Sequence, residues 1–253
     1  MSEQKHPLTV FIEERRGAIA EALSGSPVDI GEFMVGLKSA VAKDRESGNG
    51  MLTECIAKNP NSVLQRLVEA AQVGLSPAPV LEHFHLVPRK MQGGIVCTSI
   101  IGYRGLCDLA QRSGGVLRIG AELVFPGETF WIDAMDGHIT HDRDHFADQE
   151  EKDLRGAYAF AQLANGGQTV SRVMSKADLD KRRAKAQTDK IWGPWWREMY
   201  RKTVLRNLLK SGLVPLGEPA RLAITRESEE ERFLDVEATE VEATPEAVDD
   251  DNE

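Results

Sequence analysis

Gly156-Ala-Tyr-Ala-Phe-Ala-Gln-Leu163, then Ala164-Asn-Gly-Gly167, then Gln168-Thr-Val-Ser-Arg-Val-Met174 is the stretch that decides the fold class. Two strand-like runs flank an Asn-Gly-Gly sequence, and Asn-Gly favours the left-handed backbone of a tight primed turn, so the segment reads as an antiparallel hairpin. Working outward, His83–Pro88 and Gly94–Ile101 read as strands joined by Arg89-Lys-Met-Gln-Gly-Gly94. Leu117–Phe125 and Thr129–Ile132 read as a further hairpin around Pro126-Gly127. Apolar residues recur at helical spacing over 8–23, about 29–43, about 61–73 and from Tyr103 to Arg112, with two closing helices at about 176–187 and 195–211. Ser24-Gly-Ser-Pro27 stops the first helix, Lys43–Gly50 is a polar loop, Asn61 or Ser62 is the N-cap of the third, and Gly74 ends it. Short hairpins interrupted by helices indicate an α+β fold: a small antiparallel β-sheet with packed helices.

Charge divides the chain further. From Glu227 to Glu253 there are thirteen acidic residues and one basic, whereas residues 1–226 hold 30 basic and 27 acidic side chains. The net charge of −9 therefore describes a slightly basic body with an acidic appendage. That tail has too little apolar surface to offset its own ordering entropy and is expected to be disordered. The organisation expected is a helical N-terminal region at 1–50, a core at 51–226 and an acidic tail at 227–253. Three cysteines at scattered positions, Cys55, Cys97 and Cys107, suggest free thiols in a reducing compartment. The N-terminus shows no signal-peptide run, and no window approaches the roughly 20 apolar residues of a membrane span, so a cytoplasmic protein is expected.

Inside the body, Arg172–Lys210 carries twelve Lys or Arg against four Asp or Glu and holds three of the four tryptophans. Cations neutralise phosphates and flat rings accept unstacked bases, so this segment points to a nucleic-acid partner. In the last helix Lys202, Arg206 and Lys210 make one stripe, while Trp196, Tyr200, Val204 and Leu208 make another and Leu205 and Leu209 a third. A helix apolar on two sides is packed into the body, so the tryptophans are read chiefly as packing and the stripe as phosphate-binding. Lys181-Arg-Arg-Ala-Lys185 adds to the same charge. A second cluster, Gly102-Tyr-Arg-Gly-Leu-Cys-Asp-Leu-Ala-Gln-Arg112 with Arg118 nearby, opens a helix at a glycine, where backbone N–H groups suit anions. Its bland alternative is a surface network of Arg104, Asp108 and Arg112.

His83, His85 and the loop His138-Ile-Thr-His-Asp-Arg-Asp-His145 with Asp148 hold metal-ligand side chains. They lack a Cys pair, a His-Glu-x-x-His or an EF-hand spacing, and a polar inter-strand loop has the same composition. A metal-dependent nuclease built on His138–Asp148 is the alternative reading of function. No glycine is followed by lysine, so there is no Walker A loop and ATP-driven strand exchange is disfavoured.

Ordered blocks of the sequence resemble one family. They are Glu54-Cys through Asn61-Ser-Val and Glu69-Ala-Ala-Gln-Val-Gly-Leu-Ser-Pro77; His85-Leu-Val-Pro88; Ile101-Gly-Tyr-Arg-Gly-Leu-Cys-Asp-Leu-Ala-Gln-Arg-Ser-Gly114; Arg155-Gly-Ala-Tyr-Ala-Phe-Ala; and Met174-Ser-Lys through Gly193-Pro-Trp to Glu198-Met-Tyr-Arg-Lys-Thr-Val-Leu-Arg206. This set, spanning roughly 50–215, resembles the phage RecT-type single-stranded DNA annealing proteins. The resemblance implies a sheet-and-helix annealing core related to the Rad52 type. It implies an ATP-independent recombinase, not a covalent catalyst, that binds single-stranded DNA and the annealed duplex and self-associates into rings or helical filaments. No cofactor is required, magnesium assisting DNA binding by screening phosphates. A phage exonuclease and a host single-strand binding protein are the implied protein partners, in a bacterial or phage-infected cytoplasm. The DNA contacts expected are Arg89, Lys90, Tyr103, Arg104, Arg112, Arg118, Lys181, Arg182, Arg183, Lys185, Lys202 and Arg206, with Arg89-Lys90-Met91 as a wedge between groups of bases.

Overall fold

A computed structural model of the chain describes residues 6–91, 93–133, 135, 137–165, 168–184 and 192–226. Lys185, the Gly166-Gly167 pair and the acidic tail lie outside them, so the expectations made for those residues have no structural counterpart here.

Four helices come first: α1 (Pro7–Ala22), α2 (Ile30–Glu46), α3 (Met51–Lys58) and α4 (Pro60–Val73). Asp29 caps α2, its Oδ1 accepting from Gly31 N at 2.6 Å and Glu32 N at 3.3 Å. The short α3 has no counterpart in the sequence reading. It begins after Gly50, at φ 61°, and the Asp44 carboxylate accepts from Leu52 N at 2.7 Å. The N-cap of α4 is Asn59 rather than Asn61 or Ser62: its Oδ1 accepts from Ser62 N at 3.3 Å, and Pro60 occupies the first turn where no N–H is needed.

Among the described residues three separate antiparallel sheets follow. β1 (Phe84–Met91) pairs with β2 (Gly94–Ile101) as expected, but the strand runs on through Arg89, Lys90 and Met91, with Met91 opposite Gly94. After α5 (Tyr103–Arg112) come β3 (Val116–Val124), β4 (Thr129–Ile132), β5 (Ile139–Asp142), β6 (Gly156–Leu163) and β7 (Thr169–Ser175). The hairpin read around Asn165 is confirmed as β6–β7. The hairpin read around Pro126-Gly127 is not formed: β3 pairs with β6, giving the order β3-β6-β7, and β4 pairs instead with β5. Long-range burial decides this, because β3 presents Ala121 and Leu123 beside Ala159 and Ala157 to the core, a gain the short β4 does not offer.

The chain closes with α6 (Lys176–Arg183), α7 (Trp196–Lys210) and a helical segment at 218–226. Helix α7 is the central prop. It lies on β3, β6 and β7 and also touches α5 and α6. The fully buried Tyr200, Val204, Leu205 and Leu208, with Leu209, form its inner sides, as the double apolar stripe requires. One apolar cluster runs from Phe11 to Ile224 and joins the N-terminal helices to the sheets. Among the described residues no helix is long and apolar enough to cross a membrane.

Candidate nucleic-acid interface

The start of α5 is where distant cations meet. Gly102 and Gly105 let the backbone of residues 82–83 press onto it: a Cβ at 102 would lie 2.0 Å from the Glu82 carbonyl oxygen, and one at 105 would lie 2.3 Å from that of His83. Gly102 N donates to His83 O at 2.9 Å, and no side chain caps the helix. His85 lies against the same turn, where burial and then the Lys202 ammonium hold its pKa below the usual histidine value. His85 of β1 thus lies against the opening of α5, and the Lys202 ammonium of α7 is near enough to act on it. Arg104 joins them from α5, pairing with Glu82 at 3.3 Å with both side chains exposed. Arg206, one turn further along α7, is half-buried, and Lys210 beyond it is exposed.

A second group sits at the edge of the three-stranded sheet. The Tyr103 hydroxyl accepts from Ala121 N at 3.0 Å and so occupies an edge-strand donor; burial, then Cys107, pushes the phenol up to about 12. Arg118 holds its guanidinium 5.5 Å from the centre of the Phe160 ring. Nearby, Glu122 gathers Arg143 at 2.9 Å and Arg201 at 3.2 Å.

The third group is the C-terminal turn of α6. Lys181 is exposed and 3.5 Å from Asp178, Arg182 is exposed, and the half-buried Arg183 bonds Glu151 while lying 5.7 Å from the centre of the Trp192 ring. Tyr200 anchors this end: its hydroxyl lies 2.9 Å from Glu151 Oε1 and 2.8 Å from Asp180 Oδ1, and Lys176 reaches Asp180 at 2.6 Å. Burial alone pushes Asp180 up, but Lys176 and the Tyr200 hydroxyl outweigh it and hold the carboxyl below its ordinary value. Of the three tryptophans near it, Trp192 is 6% exposed and packs on Tyr200, and Trp196 is partly buried, whereas Trp195 is 60% exposed. The packing reading fits the first two and not the third.

Three expected contacts stand apart from these groups. Arg112 pairs with Asp108 at 2.7 Å and reaches the Val73 carbonyl at 3.5 Å, so it closes the end of α4. The surface network expected on α5 is thus split, since Arg104 turns to Glu82. On the β1–β2 hairpin, Arg89 donates to Thr98 Oγ1 at 3.0 Å, and Lys90 is exposed beside Glu54. The sequence reading passed over Phe160, Lys176, Arg143 and Arg201. The Ala-Tyr-Ala-Phe-Ala alternation was the signal available for Phe160.

The histidine-rich loop is a structural strut. His141 Nε2 donates to Glu128 at 3.1 Å and Nδ1 faces the Tyr158 hydroxyl at 3.2 Å, with both His141 and Glu128 side chains 6% exposed. Beside it a cavity of about 580 Å³ is lined by Glu128, Asp142, Asp144, Asp148 and Asp153. Its charge has the wrong sign for a phosphate chain. Among the described residues no group of three His, Cys, Asp or Glu is arranged to hold a metal ion.

Comparison with known proteins bears on which chemistry these cations serve. The family model described as "RecT family" matches residues 32–239. This chain belongs to the RecT family. The protein is similar to "Protein RecT" of Escherichia coli (strain K12), with 30% identity over 181 residues, 69% of this chain and 65% of that one. The chain thus spans about two thirds of the length of that relative. The RecT match includes every described cation of the three groups, and it runs past the described residues into the acidic tail.

Proposed function

We propose that the protein binds single-stranded DNA and promotes annealing of complementary strands, without ATP and without making or breaking a covalent bond. The observation that carries this is the RecT match over 32–239, which contains the locality where Lys202, His85 and Arg104 meet at the α5 opening. Annealing needs phosphate chains held close while base edges stay free to pair. Lys202, Arg206 and Arg104, with Lys181, Arg182 and Arg183 on α6, supply charge to the backbone, and none of these contacts selects a base. Magnesium acts on the DNA by screening phosphate repulsion. The active form is a ring or filament of many copies, working in the cytoplasm with a nuclease that exposes single strands and a single-strand binding protein that covers them.

The test is a fluorescence annealing assay with complementary oligonucleotides, with magnesium and no ATP. Purified protein is expected to accelerate annealing and to lose DNA affinity steeply as salt rises. Lys202→Glu combined with Arg206→Glu is expected to abolish annealing with the melting temperature kept. Normal annealing by this double variant would remove the α7 stripe from the interface, and no DNA binding by the unaltered protein at low salt would sink the proposal.

A further inference from the structure

The β3-β6-β7 sheet has one face under α7 and one turned away from it. Cross-strand register places three rows on the outer face: Arg118, Gln162, Thr169; then Gly120, Phe160, Ser171; then Glu122, Tyr158, Val173. In the last row Tyr158 is roofed by the β4–β5 hairpin, being 5% exposed with Phe130 at 4.9 Å and His141 at 5.5 Å between ring centres, whereas Val173 is 52% exposed. At the far edge a Cβ on Gly137 would lie 2.1 Å from the Thr169 carbonyl oxygen. Phe160 is half-exposed beside the roofed Tyr158.

Two local features shape the space around that ring. The first is a glycine. A Cβ at Gly120 would sit 3.2 Å from Phe160 Cζ, so the ring leans across β3 into room that any side chain there would fill. The second is a β-bulge. Val116 pairs with Leu163 but Arg118 pairs with Gln162, so Leu117 is the inserted residue and is left 61% exposed. Beyond the bulge the pairing is regular, so Arg118 falls on the outer face in register with Gly120 and Glu122. There its guanidinium lies 5.5 Å from the centre of the Phe160 ring, next to the bulge. A cation beside a half-open ring fits a ligand that is flat, apolar on its faces and attached to a negative charge.

We propose that Phe160 is a stacking platform for one unpaired base of bound single-stranded DNA, with Arg118 moving from the ring to the adjoining phosphate. The inference rests on the proposed binding of single-stranded DNA and adds to it a site that reads bases as well as backbone. In the free protein the Arg118 guanidinium lies over the ring face. When a base covers the ring, the guanidinium exchanges its contact with Phe160 for a charge-assisted bond to phosphate. Gln162 and Ser171 flank the platform with groups that serve any base, in keeping with annealing of arbitrary sequence.

The experiment compares two oligonucleotides of equal length by fluorescence anisotropy at fixed salt, one carrying ordinary bases and one an abasic phosphate chain. The unaltered protein is expected to favour the first by roughly five- to hundredfold, the range of a base–aromatic stack. Phe160→Leu, which keeps the apolar volume, is expected to lose that preference while binding the abasic chain as before; Arg118→Ala should lower the salt slope by about one on both. Ultraviolet cross-linking of the unaltered complex, read by mass spectrometry, should mark the peptide holding Phe160, and this holds even where the variant fails to fold. Equal loss of both oligonucleotides in Phe160→Leu, undiminished preference, or cross-links only elsewhere would overturn the platform while leaving DNA binding intact. A change in self-association alone would assign the face to contact between copies and also overturn it. Binding of neither oligonucleotide by the unaltered protein would instead remove the proposed function itself.

Discussion

On one face of β6 three alanines, Ala157, Ala159 and Ala161, are wholly buried beneath α7; on the other, Tyr158 is roofed by the β4–β5 hairpin while Phe160 and Gln162 stay half-exposed. The same eight residues thus meet two physical demands. Alanine brings helix and sheet backbones close, so that Tyr200, Val204, Leu205 and Leu208 fill the space between them. That close packing fixes α7, and with it the height at which Lys202 stands beside His85. The outer face has no such requirement and is free to carry an aromatic ring and a cation. The contrast teaches that stability and recognition are separated by the two-residue period of a strand, and it can be broken from either side.

The largest effect is expected at Tyr200. Tyr200→Ala removes a wholly buried ring and the hydroxyl shared by Glu151 and Asp180, and by analogy with aromatic truncations it should cost about 3–5 kcal/mol in chemical denaturation. A loss below 1 kcal/mol would mean α7 is not the prop. Next comes Ala159→Leu, which pushes α7 off the sheet. Overpacking of this kind costs about 1–3 kcal/mol and should lower DNA binding too, since Lys202 rides on the helix. Stability unchanged in this variant would show that the alanine face is loosely packed.

A smaller effect is expected from pH. His85 is buried beside Lys202, and its folded pKa lies below the unfolded value of about 6.5. Protonation therefore favours the unfolded chain: stability is flat above that pH and falls as pH drops below it. His85→Gln should flatten the acid limb of a pH-dependent melting series, and an identical slope in both proteins would place the acid sensitivity elsewhere. The smallest effect belongs to the outer face. Leu117→Ser alters an exposed bulge residue and should change stability by no more than about 0.5 kcal/mol. A greater loss would show that a further element covers the face, which would weaken the contrast.

Much of this was legible in sequence because it is local. The β6–β7 hairpin followed from its turn residues, α7 from its apolar stripes, and the nucleic-acid character from the charge of 172–210. The DNA-contact set was legible as charge but not as place. Arg112 has the same composition signal as Arg104, yet it turns back to the Val73 carbonyl while Arg104 faces outward with Glu82. His141 reads as a metal ligand and is instead held between Glu128 and Tyr158. In each case the deciding partner lies far along the chain or on another element, and side-chain type does not encode it.

The sequence by itself determined the α+β class, the antiparallel pairing of β6 with β7, the buried character of α7 and the RecT-family blocks, since periodicity, turn chemistry and motif order act over a few residues. Only the tertiary structure decided that β4 leaves β3 for β5, that Arg118 lies over Phe160 next to a bulge at Leu117, and that the Lys202 ammonium acts on His85. Those outcomes depend on which surfaces become buried together. Burial is a property of the packed chain, and no window of sequence contains it.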